Sequence, residues 1–169
     1  MPPQEVKSAS IDWPLWFYWI MATTLGWVLG RYLLPDLAIV TIGIALGIMQ
    51  SMVIKSHIDH AWHWILVTTA GWTFGSAILV GIIPAEMELF AGPIMGGTTG
   101  IAQWIVLRNK VEWPGWWIVF SIIGWTTGLS MLPGLFLTGT MAGLFTGIAL
   151  ILLMRYPKKR ESENQLSQK

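Results

Sequence analysis

The sequence predicts an all-α membrane protein: six transmembrane helices, arranged as three helical-hairpin repeats in a pseudo-threefold bundle. Three observations lead there: an apolar composition, a spaced pattern of Trp and Gly that recurs three times, and a one-sided distribution of Lys and Arg.

Composition sets the class. Of 169 residues, 54% are hydrophobic and 11% charged, and mean hydropathy is +0.59. A soluble domain carries about 25% charged residues. A water-soluble chain this apolar needs more interior than its length can enclose, and a bilayer supplies the missing apolar solvent. A net charge of +1 offers nothing to nucleic acid, and the absence of Cys excludes disulfides, thiolate metal sites and Cys nucleophiles. Residues 1–12 form a polar N-terminal segment with Pro2, Pro3 and Glu5, lacking the basic lead and cleavage site of a signal peptide. Residues 13–156 form a single transmembrane domain. Residues 157–169 have the mixed-charge composition of a disordered tail.

The repeat divides that domain. Trp19-x3-Thr23-x2-Gly26-Trp27-x2-Gly30 returns as Trp64-x3-Thr68-x2-Gly71-Trp72-x2-Gly75 and as Trp117-x3-Ser121-x2-Gly124-Trp125-x2-Gly128. A second pattern alternates with it: Gly43-x3-Gly47-x2-Gln50, Gly96-x3-Gly100-x2-Gln103 and Gly143-x3-Gly147-x2-Leu150, each with a basic residue (Lys55, Arg108, Arg155) eight positions after its second Gly. The unit is a hairpin of one Trp helix and one Gly helix, at about 13–55, 62–108 and 113–155. The six spans expected are 13–34, 37–55, 62–83, 89–108, 113–132 and 134–155. None contains Asp or Glu, and each approaches the roughly 20 residues that cross a hydrocarbon core. Period-two alternation is missing, so a β-barrel is excluded.

Small residues matter in lipid because helices associate there by close backbone approach and interhelical hydrogen bonds. Trp19, Thr23, Gly26 and Gly30 fall within about 60° of one helix face. The glycines of both patterns are therefore expected to pack helices, with their stripes meeting at the centre of the bundle. Gln50 and Gln103 read as hydrogen-bonding contacts between helices, the alternative being a polar ligand contact. Leu150 breaks the polar ring in the third copy. Trp13, Trp16, Trp62, Trp113 and Trp116 fit an interfacial aromatic belt. Trp27, Trp72 and Trp125 lie deeper, about 12 Å beyond Trp19, Trp64 and Trp117. They fill the gap beside a Gly or line a groove for a lipid tail, quinone or pigment.

Groups for chemistry are scarce. No span holds the acid, base or cation that ion-coupled transport needs. Arg31 sits at a helix end, where snorkelling or pairing with Asp36 accounts for it. Ser76 and Ser121 lack protease partners, and Gly96-Gly97-Thr98-Thr99-Gly100 lacks the Lys of a phosphate loop. His57, His60 and His63 are the one grouping with metal-ligand character, though loop histidines are mostly solvated. No catalytic residue is expected.

The fragment Gly96-Gly97-Thr98-Thr99-Gly100-Ile101-Ala102-Gln103-Trp104-Ile105-Val106-Leu107-Arg108, with Trp116-Trp117 and Gly124-Trp125-x2-Gly128 after it, resembles a repeat of uncharacterised multi-pass proteins of cyanobacteria and Chloroflexota. The first copy departs from it with Ser51 in place of Trp104, the third with Leu150 and Ile151. The resemblance implies a bacterial cytoplasmic or thylakoid membrane and no established activity. The expected function is a non-enzymatic scaffold or accessory subunit that packs against membrane lipids and other membrane proteins. A binder of a hydrophobic ligand or pigment (carotenoid, chlorophyll, quinone or lipid) is the alternative, and a passive channel or transporter the third reading.

Nine of the ten basic residues (Lys7, Lys55, Arg108, Lys110, Arg155, Lys158, Lys159, Arg160 and Lys169) fall on one side of the six-span arrangement. Lys and Arg mark the cytoplasmic side, so both termini are expected there. Reporter fusions at Lys7 and Lys169 should both report cytoplasm; opposite signals would rule out an even number of spans.

Overall fold

A computed structural model describes residues 12–158. The polar segments expected at the two ends fall almost entirely on residues 1–11 and 159–169, outside the described residues, as do Lys7, Lys159, Arg160 and Lys169. Between them lie six helices in antiparallel succession: α1 (Trp13–Tyr32), α2 (Ala38–Ile54), α3 (Trp62–Gly81), α4 (Ala91–Leu107), α5 (Gly115–Trp125) and α6 (Leu137–Leu153). Each lies within a predicted span. No strand occurs among the described residues, only an isolated antiparallel bridge between Val111 and Pro157.

Local chemistry explains the boundaries. The Asp12 carboxylate accepts from the Leu15 N–H at 3.0 Å, capping α1, and Pro14 occupies the first turn, where a missing N–H costs nothing. Short 3-10 turns, Pro35–Leu37 and Ala85–Phe90, reverse the chain inside the first two hairpins. At the opposite end His60 adopts φ 59° in the turn between α2 and α3. α5 runs into one wide π-helical turn, Thr126–Met131, closed by the Leu132 N–H on the Thr127 carbonyl at 2.8 Å, before Pro133 forbids continuation.

Every helix packs on its two neighbours in sequence, and α6 returns to α1. The result is a closed ring of six. Two stretches, Pro35–Ile54 and Trp62–Gly81, are long and apolar enough to cross a membrane, and Leu137–Leu153 is a shorter apolar helix.

The glycines lie in the seams of this ring. A Cβ on Gly26 would stand 2.8 Å from Leu46 Cα of α2, and one on Gly71 2.8 Å from Thr99 Cα of α4. One on Gly124 would stand 3.1 Å from Ala142 Cα of α6. Gly30 and Gly128 repeat these backbone contacts one turn along, against Ile42 and Thr138, while Gly75 meets the side chains of Thr98 and Met95. The even helices do the same to the helix that follows: Gly43 and Gly47 meet Thr69 and Ile65 of α3, Gly96 and Gly100 meet Ile122 and Ser121 of α5, and Gly139 and Gly143 meet Thr24 and Ile20 of α1. The expectation that the stripes converge at the centre is thus corrected. They separate side by side, because only backbone-to-backbone approach between ring neighbours needs a missing Cβ.

These contacts also correct the register of the third copy. Thr69 in copy one's seam corresponds to Thr24, and Ile65 to Ile20, by the spacing of the Trp motif. Gly43 and Gly47 are therefore matched by Gly139 and Gly143, one helical turn earlier than the Gly143 and Gly147 of the sequence alignment. The position of Gln50 and Gln103 then belongs to Thr146, and Leu150 matches Ile54 and Leu107; all three are fully buried. Gly147 faces the indoles of Trp16 and Trp19 instead of a backbone.

A methyl group at a seam glycine should force neighbouring helices apart. Gly26→Ala and Gly47→Ala are expected to lower stability by about 1–3 kcal/mol each. Gly81→Ala, where nothing lies within 4 Å, should be neutral or slightly stabilising. Thermal unfolding in detergent reads both, and equal midpoints for all three would show that the seams tolerate a Cβ.

Candidate functional site: the tryptophan and glutamine column on the ring axis

The odd helices point two indoles each inward, the two of the repeated Trp motif. Trp19, Trp64 and Trp117 are fully buried and meet edge to face, with centroids 5.8, 5.8 and 5.5 Å apart. Trp27, Trp72 and Trp125 form a second triad two turns further along, at 6.0, 6.1 and 4.8 Å. Edge-to-face contacts place the electropositive rim of one ring on the face of the next, each worth about 0.5–1.5 kcal/mol beyond burial. Around the first triad pack Ile54, Leu107 and Leu150, with Ile58 and Val111 from the turns. Ile42, Leu46, Met95 and Ala142 pack around the second.

A polar layer joins the first triad to the even helices. Trp64 Nε1 donates to Gln50 Oε1 at 3.0 Å, and Trp117 Nε1 to Gln103 Oε1 at 3.0 Å. Trp19 Nε1 donates to Thr146 Oγ1 at 2.9 Å, the equivalent place by the corrected register. The amide ends bond within their own hairpins, Gln50 Nε2 to Thr23 Oγ1 at 3.1 Å and Gln103 Nε2 to Thr68 Oγ1 at 2.9 Å. Gln103 Nε2 also reaches Gln50 Oε1 at 3.2 Å. A buried amide or indole left unpaired costs about 1–3 kcal/mol, so length and position of each partner are constrained. Glutamine has the reach to bridge an indole on the next hairpin and a hydroxyl on its own. Thr146 does not: its hydroxyl donates to Ala142 O at 2.6 Å. The Ser121 hydroxyl, counterpart of Thr23 and Thr68, is consequently buried without a partner. Trp27 Nε1 and Thr99 Oγ1 are likewise unpaired.

The column is built from neutral groups. It offers no proton donor or acceptor that titrates near neutrality; what it does chemically is fix three hairpins to one another. Of the residues singled out in the sequence, Gln50, Gln103, Trp27, Trp72 and Trp125 meet on this axis. Trp19, Trp64 and Trp117, which carry its best-bonded layer, were not singled out, although they head the motif in all three copies. Thr146 was hidden by the register.

The remaining candidates stay apart from it. Trp13, Trp62, Trp113 and Trp116 are exposed at the end of the ring bearing Lys55, Arg108 and Lys110, while Trp16 is partly buried and donates to Leu144 O at 3.3 Å. His57 Nδ1 lies 2.9 Å from Ser56 Oγ, His63 Nδ1 lies 3.1 Å from His60 O, and Trp62 stacks on His63 with centroids 3.8 Å apart. No group of three or more His, Asp or Glu among the described residues is arranged to hold a metal. Arg31 is exposed and forms no ion pair with Asp36 among the described residues; at the opposite end Lys110 Nζ lies 3.1 Å from Asp59 Oδ2, and His57 Nε2 lies 3.9 Å from Asp12 Oδ2. Comparison of the chain with protein-family models, curated proteins and solved structures gives no match.

The register of the polar layer is open to a direct test. Thr146→Gln places an amide where Gln50 and Gln103 stand, with Trp19 to donate to it and Ser121 to receive from it, and should change stability by less than about 1 kcal/mol. Leu150→Gln strands the same amide in the apolar layer of Ile54 and Leu107 and should cost about 1–3 kcal/mol. Unfolding midpoints in the reverse order would restore the alignment of Leu150 with Gln50.

Proposed function

We propose that this chain is a six-span integral membrane protein, with both termini on the cytoplasmic side, that serves as a non-enzymatic scaffold or accessory subunit. One observation carries the reading: the interior is consumed by the protein's own packing, while the outside of the ring presents large apolar side chains. Phe17, Leu25, Leu66, Phe74, Ile101 and Val119 all face outward and are exposed. Contiguous apolar surface of this kind marks contact with lipid or with other proteins. The Trp, Thr and Gln side chains that lower the mean hydropathy of α1, α3 and α4 include Trp19, Thr23, Trp64, Thr68 and Gln103, which are hydrogen-bonded on the axis. A helix of 17 residues spans about 26 Å, and its flanking turns extend it toward the roughly 30 Å of a hydrocarbon core.

The exposed tryptophans Trp13, Trp62, Trp113 and Trp116 share one end with Lys55, Arg108, Arg155 and Lys158, the combination of aromatic anchors and basic residues found at a cytoplasmic interface. The bacterial cytoplasmic or thylakoid membrane follows from the repeat's resemblance alone. Two triads of indoles on the axis weigh against a passive channel. Binding of a hydrophobic ligand is the second reading, favoured by a 630 Å³ groove between α5 and α6 that Trp113, Trp116, Phe120 and Tyr156 line.

A photo-crosslinking residue at Leu66 or Phe74, introduced in cells, should give one discrete protein adduct, and at Trp72 none. Adducts to lipid alone from both outward positions, with a chromophore in the purified protein, would replace the scaffold by the ligand-binding reading.

A further inference from the structure

The groove of hairpin three has a counterpart in hairpin one. A 490 Å³ cavity runs along the outer seam of α1 and α2. By the corrected register, its Leu15, Tyr18, Ala22 and Val53 stand where the other groove has Trp113, Trp116, Phe120 and Ala149. The trough is therefore shared by hairpins one and three, but its mouth is not. Leu152 and Leu153 close the mouth in hairpin three; Ser56 and His57 occupy those positions in hairpin one, and Asp12 joins them.

We propose that the α1/α2 groove is a binding site for a zwitterionic, amine-bearing phospholipid. The inference rests on the membrane reading above. Asp12 Oδ2 and His57 Nε2 lie 3.9 Å apart, both half-exposed, so an anionic and a cationic or hydrogen-donating group stand side by side at the mouth. A primary ammonium donates to the Asp12 carboxylate. A phosphate oxygen accepts from the His57 imidazole in its Nε2–H form, the Nδ1 of which lies 2.9 Å from the Ser56 hydroxyl, and Lys55 flanks the same turn. An anionic lipid without the amine would face the Asp12 carboxylate uncompensated; a detergent or bare alkyl chain would leave both groups unused.

The trough below suits an acyl chain in length and character. From Pro14 to Leu25 it follows α1 for about 16 Å, close to half of the roughly 30 Å hydrocarbon thickness and so to one leaflet. Met21, Met49 and Met52 line it, unbranched side chains that adapt to a flexible chain. A second cavity of 410 Å³ continues the same seam from Met49 to Leu33 and Leu34.

The test uses full-length protein in a mild detergent, equilibrated with equal phosphatidylethanolamine, phosphatidylglycerol and phosphatidylcholine, and read by native mass spectrometry. The wild type should retain one phosphatidylethanolamine in preference to the other two. Asp12→Asn, which keeps a helix-capping side chain, should lower that retention by about tenfold, the fold-change of one charge-assisted contact. Met52→Trp, at an exposed position, should fill the trough and abolish retention, and Val80→Ala, on the exposed outside of α3 away from both grooves, should leave it unchanged. Equal retention of all three lipids, or phosphatidylethanolamine retention indifferent to both hairpin-one variants, overturns the site. Release of the protein from membranes by alkaline carbonate would instead overturn the membrane reading on which the site rests.

Discussion

The width of the ring's axis is set by how closely neighbouring backbones approach, and everything inside depends on it. Glycine at the seams lets Cα atoms of adjacent helices come within reach of each other, as at Gly26 against Leu46 and Gly47 against Ile65. Six helices drawn in this tightly leave an axial space that a triad of indoles fills twice over. Wider seams would separate the indoles of Trp19, Trp64 and Trp117 and pull their N–H groups from Gln50, Gln103 and Thr146. Seam and column are thus one constraint seen from two sides.

Much of the fold was legible in the sequence, for identifiable reasons. Apolar runs of near-constant length, punctuated by Pro35, Pro84 and Pro133, located all six helices, and the motif spacing located the three hairpins. Projection onto a helical wheel could not tell which part of a face meets a neighbour and which meets the axis. Trp19, Thr23, Gly26 and Gly30 share one broad stripe, yet the structure turns the indole inward and the glycines sideways. The register of the third hairpin was illegible for a related reason. Gly139, Gly143 and Gly147 are all spaced by four, so the pattern admits two alignments one turn apart, and Arg155 favoured the wrong one. Contact with Ile20 and Thr24 decides it.

The polar layer shows where the repeat has drifted. Two hairpins supply a glutamine that serves an indole and a hydroxyl together. The third supplies a threonine that serves the indole only, leaving Ser121 unpaired. Trp27 in the second triad has no acceptor at all. Neutral hydrogen bonds of this kind hold the hairpins in one arrangement with no cost of burying charge, which suits an interior whose role is to be rigid.

The seams have a direction: each helix presents its glycines to the helix that follows, and receives those of the helix before. Contacts of this head-to-tail type generate rings when the rotation closes and open arrays when it does not. Here each hairpin turns the chain by a third of a circle, and α6 meets α1 with the same Ile20 and Thr24 contacts that Ile65 and Thr69 make inside the ring. The chain is in effect a homotrimer of hairpins whose subunits have been joined end to end. Joining removes the demand that the three be identical. It fixes their order, so one subunit could exchange a glutamine for a threonine and another acquire Asp12 and His57 at its groove without spoiling the closure of the rest.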